Sequence, residues 1–120
     1  MPHKIEEKGF AHLIECIQKL GQSVSRQNGT FDLTVDGNNA ELKAKGKPFG
    51  NIDFITFTEN QYEAIMNGPV FDIYIVCGVN AQSPEVYSLP SDKLRSVQPN
   101  KIASYEYSRS RISRLVAKIP

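Results

Sequence analysis

Cysteine and histidine are scarce in this chain, with two of each in 120 residues, and no apolar run approaches the roughly 20 residues that span a bilayer. Each scarcity excludes something. Cys16 falls in a helical pattern and Cys77 in an apolar strand, far from the dense framework of a disulfide-stapled secreted fold, so both read as reduced core thiols. Neither they nor His3 and His12 have the spacing of zinc ligands. The N-terminus lacks the apolar stretch of a signal peptide, which sets the cytoplasm as the expected address, with no membrane partner. No internal repeat, low-complexity tract or interdomain linker is evident. The expectation is one domain over residues 1–120, too small for a catalytic domain plus a full target-recognition domain.

Net charge is also low, at +1, but it is unevenly spread. Residues 1–92 carry seven basic and twelve acidic groups, whereas residues 93–120 carry seven basic and one acidic. A basic terminal segment beside a carboxylate pocket suits an enzyme that must attract a polyanion before cutting it. Lys45, Arg109, Arg111, Arg114 and Lys118 are the candidate nucleic-acid contacts. The alternative for the last four is a solvated surface helix.

Apolar spacing sets the order of elements. Phe10, Leu13, Ile14, Ile17 and Leu20 predict an amphipathic helix over about 9–20, stopped by Gly21. Residues 23–27 read as a short strand, and Asn28-Gly29 as a hairpin turn into the next one. Residues 51–57 are strand-like; then Thr58-x-x-Gln61 fits a capping box, with Phe57 and Tyr62 as its hydrophobic staple, opening a helix that Gly68-Pro69 ends. The nearly continuous apolar run 71–79 predicts a central strand covered on both faces, with 85–89 as its neighbour. A short helix within 90–97, a strand over 102–107 and a basic helix over about 108–119 complete the expectation. The fold class is α/β, a mixed β-sheet flanked by helices.

Between the first helix and the central strand, residues 29–45 alternate strictly. Phe31, Leu33 and Val35 share one face, as do Ala40, Leu42 and Ala44, while Asp32, Glu41, Lys43 and Lys45 fall on the polar side. A turn at Asp36-Gly37-Asn38-Asn39 predicts the pairs Asp36 with Asn39, Thr34 with Glu41 and Asp32 with Lys43. Asp32 then lies diagonal to Glu41, roughly 7 Å away at the backbone, a separation that suits two oxygen ligands sharing one Mg²⁺ at about 2.1 Å each. Two carboxylates and an ammonium on one face are the minimum equipment for metal-dependent phosphodiester cleavage. The acid-x-Lys string alone is weak, being expected about once by chance in such a composition, and Glu6-Glu7-Lys8 is a second match. The rival reading is a solvent-facing hairpin with cross-strand ion pairs of roughly 0.2–1 kcal/mol.

Gly21-x-x-Val24-x-Arg26, Gly29-x-Phe31-Asp32-Leu33 and Ala40-Glu41-Leu42-Lys43 together resemble the PD-(D/E)xK, restriction-endonuclease-like superfamily. Within it, residues 31–89 are similar to the domain at the C-terminus of NO VEIN-type proteins, where a comparable Glu-x-Lys strand precedes a Thr-led helix like the one from Thr58 and an aromatic-rich strand like Tyr74-Ile75-Val76. The opening Gly-x-x-Val-x-Arg is similar to archaeal Holliday-junction resolvases. The resemblance covers roughly residues 9–90. It implies an αβββαβ core, Asp32 and Glu41 as ligands of Mg²⁺ or Mn²⁺, Lys43 orienting or deprotonating the attacking water, and Gln61 as an accessory polar residue. It further implies DNA as substrate, with RNA open, and a homodimer or a recognition subunit as partner, in defence or repair. Two departures stand out: Phe31 occupies the place of a proline that often precedes the aspartate, and none of Glu6, Glu7 and Glu15 falls clearly where many relatives carry a first-helix glutamate. A module that keeps the fold and binds nucleic acid or protein without cutting is the alternative.

Overall fold

The first helix runs further than its apolar stripe. In the computed structural model, which describes residues 2–27, 29, 31–100 and 105–119 and side chains from Lys4 onward, α1 spans Pro2–Lys19. Its end is a Schellman cap: Gly21 at φ +80° donates to the Gln18 carbonyl and Gln22 donates to that of Ile17. Gly9 was the expected start, yet the helix passes through it. The reason is contact, because an added Cβ at Gly9 would lie 2.7 Å from Ala44 Cβ.

Three antiparallel strands follow, β1 (Val24–Arg26), β2 (Leu33–Val35) and β3 (Asn38–Lys45). The β2–β3 turn is a two-residue one in which Asp36 (φ 49°) and Gly37 (φ 83°) both take positive φ. The Asp36 carboxylate accepts from the Ser23 N–H at 2.8 Å and its hydroxyl at 3.1 Å, pinning the turn to the start of β1. Register therefore differs from the expected one: Leu33 pairs with Ala40, Thr34 with Asn39 and Val35 with Asn38. A two-residue shift preserves the faces, where a one-residue slip would have inverted them. Continued past Leu33, it sets Asp32 across from Glu41 rather than Lys43.

The expected 51–57 strand is shorter, with a 3₁₀ turn at Phe49–Asn51 and then β4 (Phe54–Thr56). After α2 (Glu59–Asn67) come β5 (Asp72–Cys77), β6 (Glu85–Pro90), a 3₁₀ turn at Ser91–Leu94, β7 (Glu106–Ser108), α3 (Arg109–Ile112) and β8 (Ala117–Ile119). Asn28 of the expected first turn, and residues 102–104 of the expected later strand, lie outside the described residues. The main sheet has the order β1-β2-β3-β5-β6-β8, and β4 pairs with β7 in a separate two-stranded sheet. Only β3 and β5 run parallel, joined by the crossover through α2. The result is a mixed α/β fold whose largely antiparallel sheet is flanked by helices.

The basic C-terminal helix expected over 108–119 does not form. Helix ends at Ile112, and Ala117, Lys118 and Ile119 instead pair with Ser88, Tyr87 and Val86, supplying the outer edge of β6 with hydrogen bonds. Ser108, Ser110 and Ser113 are weak helix formers that bond locally, Ser113 Oγ donating to the Ser110 carbonyl.

Two cores sandwich the sheet. On one face Phe10, Leu13 and Ile17 of α1 pack on Leu33, Leu42, Tyr74, Val76 and Val86. On the other, Ile55, Phe57, Ile65, Tyr107 and Ile112 cover Ile73, Ile75 and Leu89. Cys77 is a free thiol buried in that second core, its pKa pushed up to about 12 by burial, as a core thiol should be. Cys16, also free, is only half-buried and sits 3.5 Å from His12 Nε2. Among the described residues no helix is long and apolar enough to cross a membrane.

Gly9→Ala is expected to lower stability by about 1–3 kcal/mol through overpacking on Ala44, although alanine is the better helix former. Ala44→Gly in the same chain should restore much of the loss. Urea unfolding checks this, and a Gly9→Ala variant more stable than the parent would contradict the packing.

Candidate active site

β2 stops pairing at Leu33 while β3 continues to Lys45, so the stretch from Glu41 onward loses its antiparallel neighbour. Asp32 fills the first gap with its side chain, Oδ2 accepting from the Leu42 N–H at 3.0 Å. Leu42 points toward α1, and the alternation sends Glu41 and Lys43 to the opposite side with their parallel partners Ile73 and Ile75. That side is roofed by the first turn of α2.

The polar face of the hairpin is therefore not a solvent face. Glu41 is only 1% exposed, which overturns the expectation of an open hairpin with surface ion pairs. Gln61 reaches it from α2, donating through Nε2 to Glu41 Oε2 at 2.7 Å. The same amide accepts through Oε1 from Lys43 Nζ at 2.9 Å and from the Thr58 N–H at 3.0 Å. These partners fix the amide's orientation, since two donors face its oxygen and a carboxylate faces its nitrogen. Thr58 Oγ1 closes the capping box by accepting from the Gln61 N–H at 3.2 Å. The amide that caps α2 thus also links Glu41 to Lys43. The Phe57 ring lies under Lys43 Nζ at 4.7 Å.

Glu41 Oε1 is buried and meets no donor while the carboxyl is ionised. Burial, then a hydrogen bond with Asp32 and its negative charge, hold the Glu41 carboxyl well above the ordinary range, against the opposing pull of Lys43. Burial pushes the Lys43 amine down, while the charges of Glu41, Asp32 and Glu6 favour its cationic form. Glu6 is the first-helix acid that the residue pattern did not single out. It lines a cavity of about 340 Å³ with Ile5, Leu42, Lys43 and Ala44. The signal was its place beside Ile5, a residue packed against the α1 core.

Among the described residues there is no group of three or more His, Cys, Asp or Glu side chains fit to hold a metal ion. Asp32 and Glu41 are the carboxylates that could hold a hard divalent cation, Glu41 Oε1 being buried with no donor on it and Asp32 Oδ2 already accepting from the Leu42 N–H. Mg²⁺ is commonly held by one or two carboxylates, with water and substrate phosphate supplying the rest.

The basic candidates do not converge on one helix face. Lys45 lies two residues beyond Lys43 on the same side of β3 and lines a cavity of about 410 Å³. Arg109 sits 6.0 Å over the Phe49 ring, and Arg111 donates to the Gln98 carbonyl at 2.7 Å. Arg114 is exposed beyond α3. Lys118 is on β8, ion-paired with Glu85 at 2.9 Å.

Compared with family models, with curated proteins and with solved structures, the chain matches none of them.

Because the folded state keeps Glu41 protonated above its ordinary value of 4.5, it binds more protons than the unfolded chain does. Its contribution to stability is complete below 4.5 and declines as pH rises toward the raised folded-state value. Glu41→Gln should therefore gain on the parent between pH 5 and pH 8, by on the order of 1 kcal/mol for each pH unit. Urea unfolding at the two pH values measures it; a difference that does not change with pH would contradict the assignment.

Proposed function

We propose that this chain is a Mg²⁺-dependent endonuclease of the PD-(D/E)xK, restriction-endonuclease-like type, hydrolysing DNA phosphodiester bonds. The observation that carries the reading is the buried Glu41 carboxylate, with one oxygen unpartnered, beside Asp32 and tied through Gln61 to Lys43. The order of α1, the β1–β3 meander, α2 and β5 is consistent with the αβββαβ core that the motif resemblance implies.

Asp32 and Glu41 would hold Mg²⁺ or Mn²⁺. When bound, the ion polarises the phosphodiester and lowers the pKa of a bound water. Lys43, with its amine easier to deprotonate than an exposed one, is suited either to take a proton from the attacking water or, as a cation, to stabilise charge on phosphorus. Gln61 sets the tips of Glu41 and Lys43 together, and Thr58 sets Gln61. Lys45, Arg109, Arg111 and Arg114 supply phosphate contacts; Lys118 must first leave Glu85. One cluster cuts one strand, so double-strand cleavage calls for a homodimer or a partner subunit. The free thiols Cys16 and Cys77 suit a reduced, cytoplasmic setting.

The second reading is a silent nucleic-acid-binding module, favoured by how completely Glu41 is covered. Plasmid nicking separates the two. The nuclease is expected to convert supercoiled to nicked DNA with Mg²⁺, and to lose at least 100-fold in rate with Lys43→Ala, in the range usual for a proton-transferring group. EDTA should abolish the activity. Nicking that survives EDTA or Lys43→Ala removes the assignment. DNA binding without any product, and unaffected by Asp32→Ala, establishes the silent module instead.

A further inference from the structure

We infer that the groove beyond Lys45 binds an unpaired nucleobase of the substrate strand, with preference for a base that carries an amino group. The inference rests on the nuclease reading for the identity of the polymer. Its position follows from β3: Glu41, Lys43 and Lys45 share a face, two residues advance roughly 6.6 Å along a strand, and Lys47, just past the strand's end, lines the same cavity as Lys45. A strand whose reacting phosphate lies at the Glu41 cluster and which follows β3 arrives at a cavity of about 410 Å³, within the size range of small-molecule sites.

The walls of the groove divide by chemistry. β4 alternates so that Ile55 is buried while Phe54 and Thr56 face outward. Phe54 is 40% exposed, one of three large apolar side chains so exposed among the described residues, and it borders the groove. An aromatic ring left open beside a polar cavity is the platform on which single-stranded bases stack. Asn51, Asp53 and Thr56 line the same space, offering acceptors and an amide to a base edge. The Asp53 carboxylate disfavours a phosphate placed beside it, so the phosphates belong to Lys45 and Lys47 and the base to the space between Phe54 and Asp53. An unpaired adenine or cytosine presents an amino group to such acceptors, whereas thymine presents a single ring N–H flanked by two carbonyl oxygens that a carboxylate repels. A base stacked inside a duplex cannot reach the ring, so the substrate strand must be single-stranded or frayed at this point.

Fluorescence anisotropy with fluorescein-labelled dA12, dT12 and a blunt duplex of equal length, with Ca²⁺ replacing Mg²⁺ to prevent cleavage, tests this. dA12 is expected to bind at least tenfold more tightly than the duplex and several-fold more tightly than dT12. Phe54→Ala should weaken dA12 binding roughly tenfold, with Phe54→Tyr retaining it, both variants keeping the parent's circular dichroism. Equal affinity for duplex and dA12, or no effect of Phe54→Ala, overturns the groove; equal affinity for dA12 and dT12 overturns the carboxylate-to-amino recognition. Mg²⁺-dependent hydrolysis of bis(p-nitrophenyl) phosphate by the unaltered protein, a diester too small to need the groove, reports on the nuclease reading by itself. Its absence alongside the expected oligonucleotide pattern would remove the nuclease and leave base binding standing.

Discussion

One carboxamide, that of Gln61, joins the start of α2 to both ends of the polar cluster on β3. Its oxygen bridges the helix cap and Lys43, and its nitrogen holds Glu41. The helix cannot shift without moving both side chains, and neither side chain can change charge without altering a bond to the helix. Such buried networks are rigid when every member is satisfied and costly when one is not. Here Glu41 Oε1 has no donor whenever its carboxyl is ionised.

That unsatisfied oxygen persists because the surrounding fold over-determines it. β3 is fixed on one side by its ladder with β5 and on the other by the pinned Asp36-Gly37 turn, so Glu41 has no alternative side of the sheet to occupy. Above it, Ile65 anchors α2 in the second core, and Arg95 ties down the C-terminal end by donating to the carbonyls of Ile65 and Gly68. Where β2 parts from β3, Asp32 substitutes a side-chain oxygen for the next rung of the ladder.

The parts of the account legible in the sequence were those carried by short-range chemistry. Thr58 and Gln61 form the capping box their spacing suggests, and the alternation around Glu41 and Lys43 gives the correct faces. The turn was legible but its register was not, because the preference of Asp36 for positive φ depends on Ser23, thirteen residues away. The burial of Glu41 was illegible for a similar reason: an alternating strand reveals a polar face but not the helix that later returns to cover it. Ile112, Leu115, Val116 and Ile119 suit a helix by spacing, and only the unpaired edge of β6 turns Ala117–Ile119 into a strand. Lys118, read as a phosphate contact, meets Glu85 by that same non-local pairing.

In the proposed nuclease Asp32 and Glu41 share one hard cation. Anomalous diffraction from crystals of the protein soaked in Mn²⁺ should then show a single peak within coordination distance of oxygens from both carboxylates, with Gln61 still bonded to Lys43. A fully occupied Mn²⁺ elsewhere, with Glu41 unmoved and no density between the two acids, would contradict it.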